Sequence, residues 1–310
     1  MLVYRGVPSA TDTPCVLTIG NFDGVHLGHK ALLAQLKSRA RALGLPASVL
    51  TFEPHPREFF APDAAPPRLT SLRRKLELLE NEGIDNVYVQ RFSKRFAALT
   101  ADEFIDTVLV RGLRARHLII GDDFCFGRGR QGNFETLKAA GSLRGFQVES
   151  MHTVELEGER VSSSAVRAAM QDGDMDHANR LLGEPFDVIG RVMHGDEIGR
   201  TIGFPTANIQ LTQKSMPLSG IFAVTVDGGP LKGAMGAASI GVRPTIGERL
   251  ALRLEVYILD FDGDLYHQRL SVRFLKKIRS EAKFASLAEL TAAIEQDCRD
   301  VRSFFAARQN

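Results

Sequence analysis

His26 and His29 stand three residues apart in the run Gly20-Asn-Phe-Asp-Gly-Val-His-Leu-Gly-His29. Two imidazoles at that spacing, at the start of a helix, point the same way. A helix start adds free backbone N–H groups and the positive end of the dipole, so the pair suits an anion. Imidazole can donate hydrogen bonds to anionic oxygens without a permanent charge. Gly24 and Gly28 let the backbone turn tightly and come close to a bulky ligand. On spacing alone, two solvated histidines in a loop fit equally well. A second run, Gly190-Arg-Val-Met-His-Gly-Asp-Glu-Ile-Gly-Arg-Thr-Ile-Gly-Phe-Pro-Thr-Ala-Asn-Ile209, is dense in glycine and charge. Its backbone N–H groups can cradle phosphates beside an arginine, and an ordinary barrel loop has the same composition. Ser162, Ser163 and Ser164 read as a helix cap or as hydroxyl donors to an anion, and Arg167 follows Ser164 by one helical turn. Glu255, between Arg253 and Tyr257 on the polar face of a strand, is a solvated carboxylate or a general base. Phe52, Phe59 and Phe60 flank a Pro-rich loop, and Phe124 follows a strand end. Such aromatics stack on flat ligands or pack in a core.

These residues need two different scaffolds. In the first half strand and helix signals alternate. Val16–Ile19, Ser48–Phe52, Asn86–Val89 and His117–Ile120 read as strands, and Ala31–Leu43, Leu72–Leu79 and Asp102–Val110 as helices. That alternation predicts a doubly wound parallel sheet, with its ligand beyond the carboxyl ends of the strands. The pattern changes near residue 184, after Leu181-Leu-Gly-Glu-Pro185. From Asp187 to about Ile278, short strands and Gly-rich turns predict an antiparallel sheet or barrel. Asp227-Gly-Gly229 marks one turn. Leu252–Ile258 and Leu270–Phe274 alternate around Asp262-Gly263, which predicts a hairpin there. Leu287, Leu290, Ile294, Val301 and Phe304 recur at helical spacing, with Ser286 as the expected cap. The class is therefore α/β, with an amino-terminal domain over 1–183 and a carboxy-terminal domain over 184–310.

Composition narrows the partners. The 310 residues suit two domains, and each is long enough to bury a core. A net charge of +2 lacks the basic footprint of a nucleic-acid binder. Local clusters such as Arg111, Arg114 and Arg116, or Arg128 and Arg130, fit a solvated face or a small phosphorylated ligand. Cys15, Cys125 and Cys298 are odd in number and far apart, so a disulfide framework or zinc site is not expected and a reducing cytoplasm is. No signal peptide or membrane span is expected. The sequence sets no oligomeric state.

The longer strings carry a resemblance. The first run resembles the H-x-G-H signature of nucleotidyltransferases, in its FMN adenylyltransferase branch. Gly121-Asp-Asp-Phe-Cys-Phe-Gly-Arg-Gly-Arg-Gln-Gly132 and Val161-Ser-Ser-Ser-Ala-Val-Arg167 resemble two further motifs of that branch. Gly199-Arg-Thr-Ile-Gly-Phe-Pro-Thr-Ala-Asn208 is similar to the riboflavin kinase signature. The resemblance implies a bifunctional enzyme that phosphorylates riboflavin with ATP and then adenylylates FMN to FAD, with Mg²⁺ accompanying ATP. It implies catalytic roles for Glu255, His26, His29 and Arg167. It implies ATP or phosphate contacts from Gly20, Asn21, Phe22, Asp23, Gly24, Gly28, Ser163, Ser164, Gly199, Arg200 and Gly203. Flavin contacts fall to Phe60, Asp123, Phe124 and Arg243, and metal contacts to Thr206 and Asn208. Ser239, Val242 and His267 depart from the pattern, where Asn, Thr and Gly are usual. Three other readings compete. One is a single activity with the second module as a flavin-binding scaffold. Another is an adenylyltransferase for a different substrate, which leaves the Pro-Thr-Ala-Asn half unexplained. The last is a flavin-sensing regulator that contacts nucleic acid, which the near-neutral charge disfavours.

Overall fold

The computed structural model describes residues 1–195, 198–213, 215–244 and 250–308, without the side chains of 198, 242–244, 250 and 251. Internal contacts group them into two compact units, residues 1–66 with 72–162, and residues 67–71 with 163–310.

In the first unit, six strands form one sheet: β1 (Leu2–Arg5), β2 (Cys15–Ile19), β3 (Ala47–Glu53), β4 (Asn86–Arg91), β5 (Ala115–Gly121) and β6 (Gln147–Met151). All pair in parallel, in the order β1-β4-β3-β2-β5-β6. The strands read from sequence are all present. β1 and β6 are additions that no period announced: β1 is an edge strand exposed at each residue, and β6 reads Gln-Val-Glu-Ser-Met, without a fully buried face. Alternate residues of the central strands face opposite layers. Val16, Val49, Val87 and Ile119 join Phe22, Leu33, Leu36 and Leu79 in one core cluster. Leu17, Leu50, Leu118 and Ile120 join Ile105, Leu109 and Phe126 in the other. The chain moves outward from β2 through β3 to β4 on one side and from β5 to β6 on the other. The order reverses between β2 and β5, so the loops after Ile19 and Gly121 border the crevice where such sheets bind ligands. A small hairpin, β7 (Glu155–Leu156) and β8 (Glu159–Arg160), follows β6.

In the second unit, β9 (Asp187–Met193), β10 (Thr206–Ile209), β11 (Gly220–Gly228), β12 (Leu231–Pro244), β13 (Leu250–Ile258) and β14 (Arg269–Arg279) close a barrel in the order β10-β13-β12-β11-β14-β9. The Asp227-Gly-Gly229 turn joins β11 to β12 as expected. The hairpin expected at Asp262-Gly263 does not form. β13 pairs with β10 and β12, and β14 with β9 and β11. The connection is too long for a two-residue turn, and it is held elsewhere: Leu259 N–H donates to Met235 O and His267 N–H to Val192 O. The helices Ser163–Asp172 and Met175–Leu182 group with the barrel rather than with the sheet. Asn179 ties them there, donating to Phe274 O at 3.0 Å and accepting from Phe186 N at 2.8 Å.

The terminal helix Leu287–Ala307 starts at Ser286, whose side chain accepts from Glu289 N. Its Val301 packs with Ala223 and Leu259, beside Phe304, Phe305 and Tyr257. A bidentate ion pair fixes its angle: Arg279 Nε and Nη2 donate to the two Asp297 oxygens, each at 2.7 Å. Asp297 is 4% exposed, so removing its carboxylate strands Arg279 at the barrel edge. Asp297→Ala is expected to lower unfolding free energy by about 2–4 kcal/mol, read as a downward shift of the urea midpoint with unchanged slope.

Candidate functional site

The first site is built on the β2 carboxyl end. After Gly20 the chain enters a buried loop in which Phe22 and Val25 hold left-handed backbone at φ 49° and 43°. For the β-branched Val25 that is an outlier, and strain of this kind gathers where a loop must hold a ligand-binding shape. Both side chains are fully buried and anchor the loop in the core. His26 then caps the helix Leu27–Leu43, its Nδ1 accepting from His29 N at 3.4 Å. The His26 and His29 rings stack with centroids 3.7 Å apart. Gly28 is needed for clearance, because a Cβ there would lie 3.2 Å from the His26 ring. The pair predicted from spacing is thus one stacked unit at a helix start. Asn21, Phe22, Asp23 and Gly24 share its loop.

The His29 pKa lies well below the ordinary 6.5, first through burial, then through the neighbouring charges of His26 and Lys75. Its Nδ1 is buried without a hydrogen bond, as is Asn21 Oδ1. One orphaned atom lies in the strained loop and the other in the first turn of the helix that follows, which marks this helix start as a candidate site for a polar ligand.

The flavin candidates of this unit lie on a chain of aromatic rings. Phe60, Phe59, Phe92, Phe96, Phe104, Phe126 and Phe124 follow one another with centroids 5.1 to 6.0 Å apart. Phe60 is 68% exposed at one end, and Phe124 stacks on Phe126 at the other. Asp123 is exposed and pairs with Arg160 at 2.7 Å. Ser163, Ser164 and Arg167 belong to the other unit. There Arg167 is buried and donates to Pro67 O at 2.6 Å and Ser163 O at 3.1 Å.

The second site is set by barrel register. Asn208 lies directly opposite Glu255, and Glu255 opposite Ser239. Thr206, Tyr257 and Ala237 form the next row on the same face, while Ala207, Val256 and Ala238 turn inward and are buried. Both rows open on a cavity of about 530 Å³, whose far wall includes Phe284, Leu287, Leu290 and Ile294. Gly199 lines it; Arg200 and Gly203 are not in its wall. Arg253 Nη1 stands 3.9 Å from Glu255 Oε1. Asn208 is pressed under Gly195, where any Cβ would collide with its amide. The Arg243 and Val242 side chains lie outside the described residues. His267 takes φ 65°, a left-handed conformation that glycine adopts most readily. Its ring and Tyr266 both contact His194.

A strained loop at the reversal point of a parallel sheet, and a carboxylate beside a hydroxyl and an amide in a barrel cavity, define an enzyme of two phosphate-handling modules. The FAD synthetase family model matches residues 9–165 and the riboflavin kinase family model residues 182–305. A bifunctional riboflavin kinase/FMN adenylyltransferase of Escherichia coli K12 is 50% identical over 98% of both chains. Its counterpart in Pseudomonas fluorescens is 50% identical over 94% of this chain and 93% of that one. A solved structure described as a macrolide-efflux protein from Streptococcus pneumoniae has a TM-score of 0.83 and 31% identity, covering 97% of this chain and 99% of that one. Among the described residues no helix is long and apolar enough to cross a membrane. The chain belongs to the bifunctional riboflavin kinase/FMN adenylyltransferase family.

Sequence reasoning missed Lys75, the charge beside His29. Its signal was a lysine on the inward stripe of the helix that Leu72–Leu79 announced. The depressed His29 pKa has a measurable consequence. Below about pH 6.5 the unfolded chain takes up a proton that folded His29 refuses, so stability falls with acidification from there down towards the folded value. His29→Asn is expected to flatten that part of the stability–pH curve, measured by urea denaturation at successive pH values.

Proposed function

We infer that this chain converts riboflavin and ATP to FMN and ADP, then FMN and ATP to FAD and pyrophosphate. The observation that supports the reading is that one polypeptide matches both family models, with His26 and His29 stacked at one helix start and Thr206, Asn208 and Glu255 on one barrel face. That also disfavours a single activity with a scaffold. We assign adenylylation to residues 1–183 and phosphorylation to 184–310, although the helices of 163–182 pack with the barrel.

In the kinase cavity Glu255 accepts the proton of the ribityl 5′-hydroxyl as that oxygen attacks the γ-phosphorus of ATP. Arg253 stands 3.9 Å from the Glu255 carboxylate, and Asn208 and Ser239 flank it in register. Thr206 and Asn208 offer hard oxygen donors that fit Mg²⁺, which when bound offsets phosphate charge. The apolar wall of Phe284, Leu287, Leu290 and Ile294 suits the flavin ring. In the sheet unit an FMN phosphate oxygen attacks the α-phosphorus and pyrophosphate departs. No covalent enzyme intermediate is needed, so the protein orients the partners and stabilises growing charge. His26 and His29 serve that end, with the Gly20–Gly28 loop on the phosphates and Phe60, Asp123 and Phe124 on the flavin; for Ser163, Ser164 and Arg167 a phosphate role rests on the motif resemblance alone. Described cysteines that are all free support a cytoplasmic setting, and the charge of +2 supports small-molecule partners over nucleic acid.

Two variants test the division. Glu255→Gln should slow FMN formation from riboflavin by about 10²–10⁴-fold while leaving FAD formation from supplied FMN intact. His29→Ala should do the reverse, lowering FAD formation about 10²-fold and sparing the kinase. Loss of both activities in either folded variant would refute separate sites.

A further inference from the structure

The helix Leu72–Asn81 turns Lys75, Leu78 and Leu79 inward. Leu78 and Leu79 join the core cluster that also holds Phe22, Val25, Leu33 and Leu36. The helix therefore shares its buried face with the signature loop and with the helix that His26 caps. Lys75 precedes those leucines by three and four residues, so it occupies a stripe where the helical period calls for an apolar side chain. It is 4% exposed. A lysine normally lays its stem along apolar surface and sends its head to water, and full burial of one is rare. A break of local pattern at a core position is where function is to be sought.

The surroundings give this charge a task. The Lys75 ammonium is close enough to His29 to disfavour a second positive charge there. Burial first, and then the charges of His26 and Lys75, hold His29 towards its neutral form, and Lys75 brings an ammonium group to its side. His29 Nδ1 is buried and lacks a hydrogen bond. A lysine acts on phosphate as a compact point charge with three donors, which suits several phosphate oxygens better than a flavin ring.

We propose that Lys75 is a catalytic residue of the adenylylation step, its ammonium contacting the β- and γ-phosphates of ATP and the pyrophosphate that leaves. The proposal rests on the reading of the first unit as the FMN adenylyltransferase. In the step, a phosphate oxygen of FMN forms a bond to the α-phosphorus. The bond from the α-phosphorus to the bridging oxygen breaks, and its electron pair leaves on pyrophosphate. Lys75 stays protonated throughout and stabilises that departing charge.

Purified full-length wild type, Lys75→Met and Lys75→Arg should be compared for FAD formation from FMN and Mg-ATP, and for FMN formation from riboflavin on the same samples. Lys75→Met is expected to lose about 10²-fold in FAD formation with kinase activity unchanged, and to bind pyrophosphate more weakly by calorimetry. Lys75→Arg, which keeps the charge, should recover part of the loss. Asp23 is also buried in the loop, so the double variant Asp23→Asn/Lys75→Met is the decisive control. Recovery of FAD formation there would show that Lys75 only balances a carboxylate and would overturn the proposal. So would FAD formation by Lys75→Met at the wild-type rate, or equal loss in both single variants. Absence of FAD formation by wild type would instead defeat the functional reading beneath it.

Discussion

Backbone hydrogen bonding between strands decides where reactive groups gather, because a parallel ladder lines up strand ends whereas an antiparallel ladder lines up side chains. In the sheet unit, parallel pairing of β2 with β3 and β5 brings the chain after Ile19 and after Gly121 to one edge. The candidate anion site is therefore made from loops and a helix start. In the barrel unit, antiparallel pairing sets Asn208, Glu255 and Ser239 side by side across three strands. There the candidate residues sit on the strands themselves, and a one-residue slip of β13 would turn Glu255 into the core.

Each unit also meets the cost of gathering charge in a different way. The sheet unit holds the His29 pKa down, through burial first and then through the charges of His26 and Lys75, so fewer like charges collect at the helix start. The barrel unit leaves Glu255 at an open cavity wall with Arg253 nearby. It spends its buried ion pair, Arg279 with Asp297, on holding the terminal helix that closes the far side. Separate solutions of this kind let two reactions run on one chain without sharing a reactive group.

Much of this was legible in the residues. Buried strands such as Val16–Ile19 and the alternation of Leu254, Val256 and Ile258 gave both sheet types, and Ser286 marked the terminal helix to the residue. That His26 and His29 share one side of a helix start followed from their spacing, whereas their stacking did not. Other features were not legible, for physical reasons. An Asp-Gly turn favours a hairpin only when the flanking strands are free to pair, and β13 and β14 are each engaged elsewhere. Strands β1 and β6 carry no burial period. The cavity that unites Thr206, Glu255 and Leu290 depends on where the terminal helix docks, which the Arg279–Asp297 pair decides over long range. Lys75 was hidden because a helix period records apolar positions and passes over a charge placed among them.

The central claim is that one polypeptide carries both steps in order. It is tested most directly by incubating the purified chain with riboflavin and Mg-ATP and resolving the flavins over time. The account requires FMN to rise first and FAD to accumulate as FMN is consumed. Product that halts at FMN, even with fresh ATP and added FMN, would contradict it.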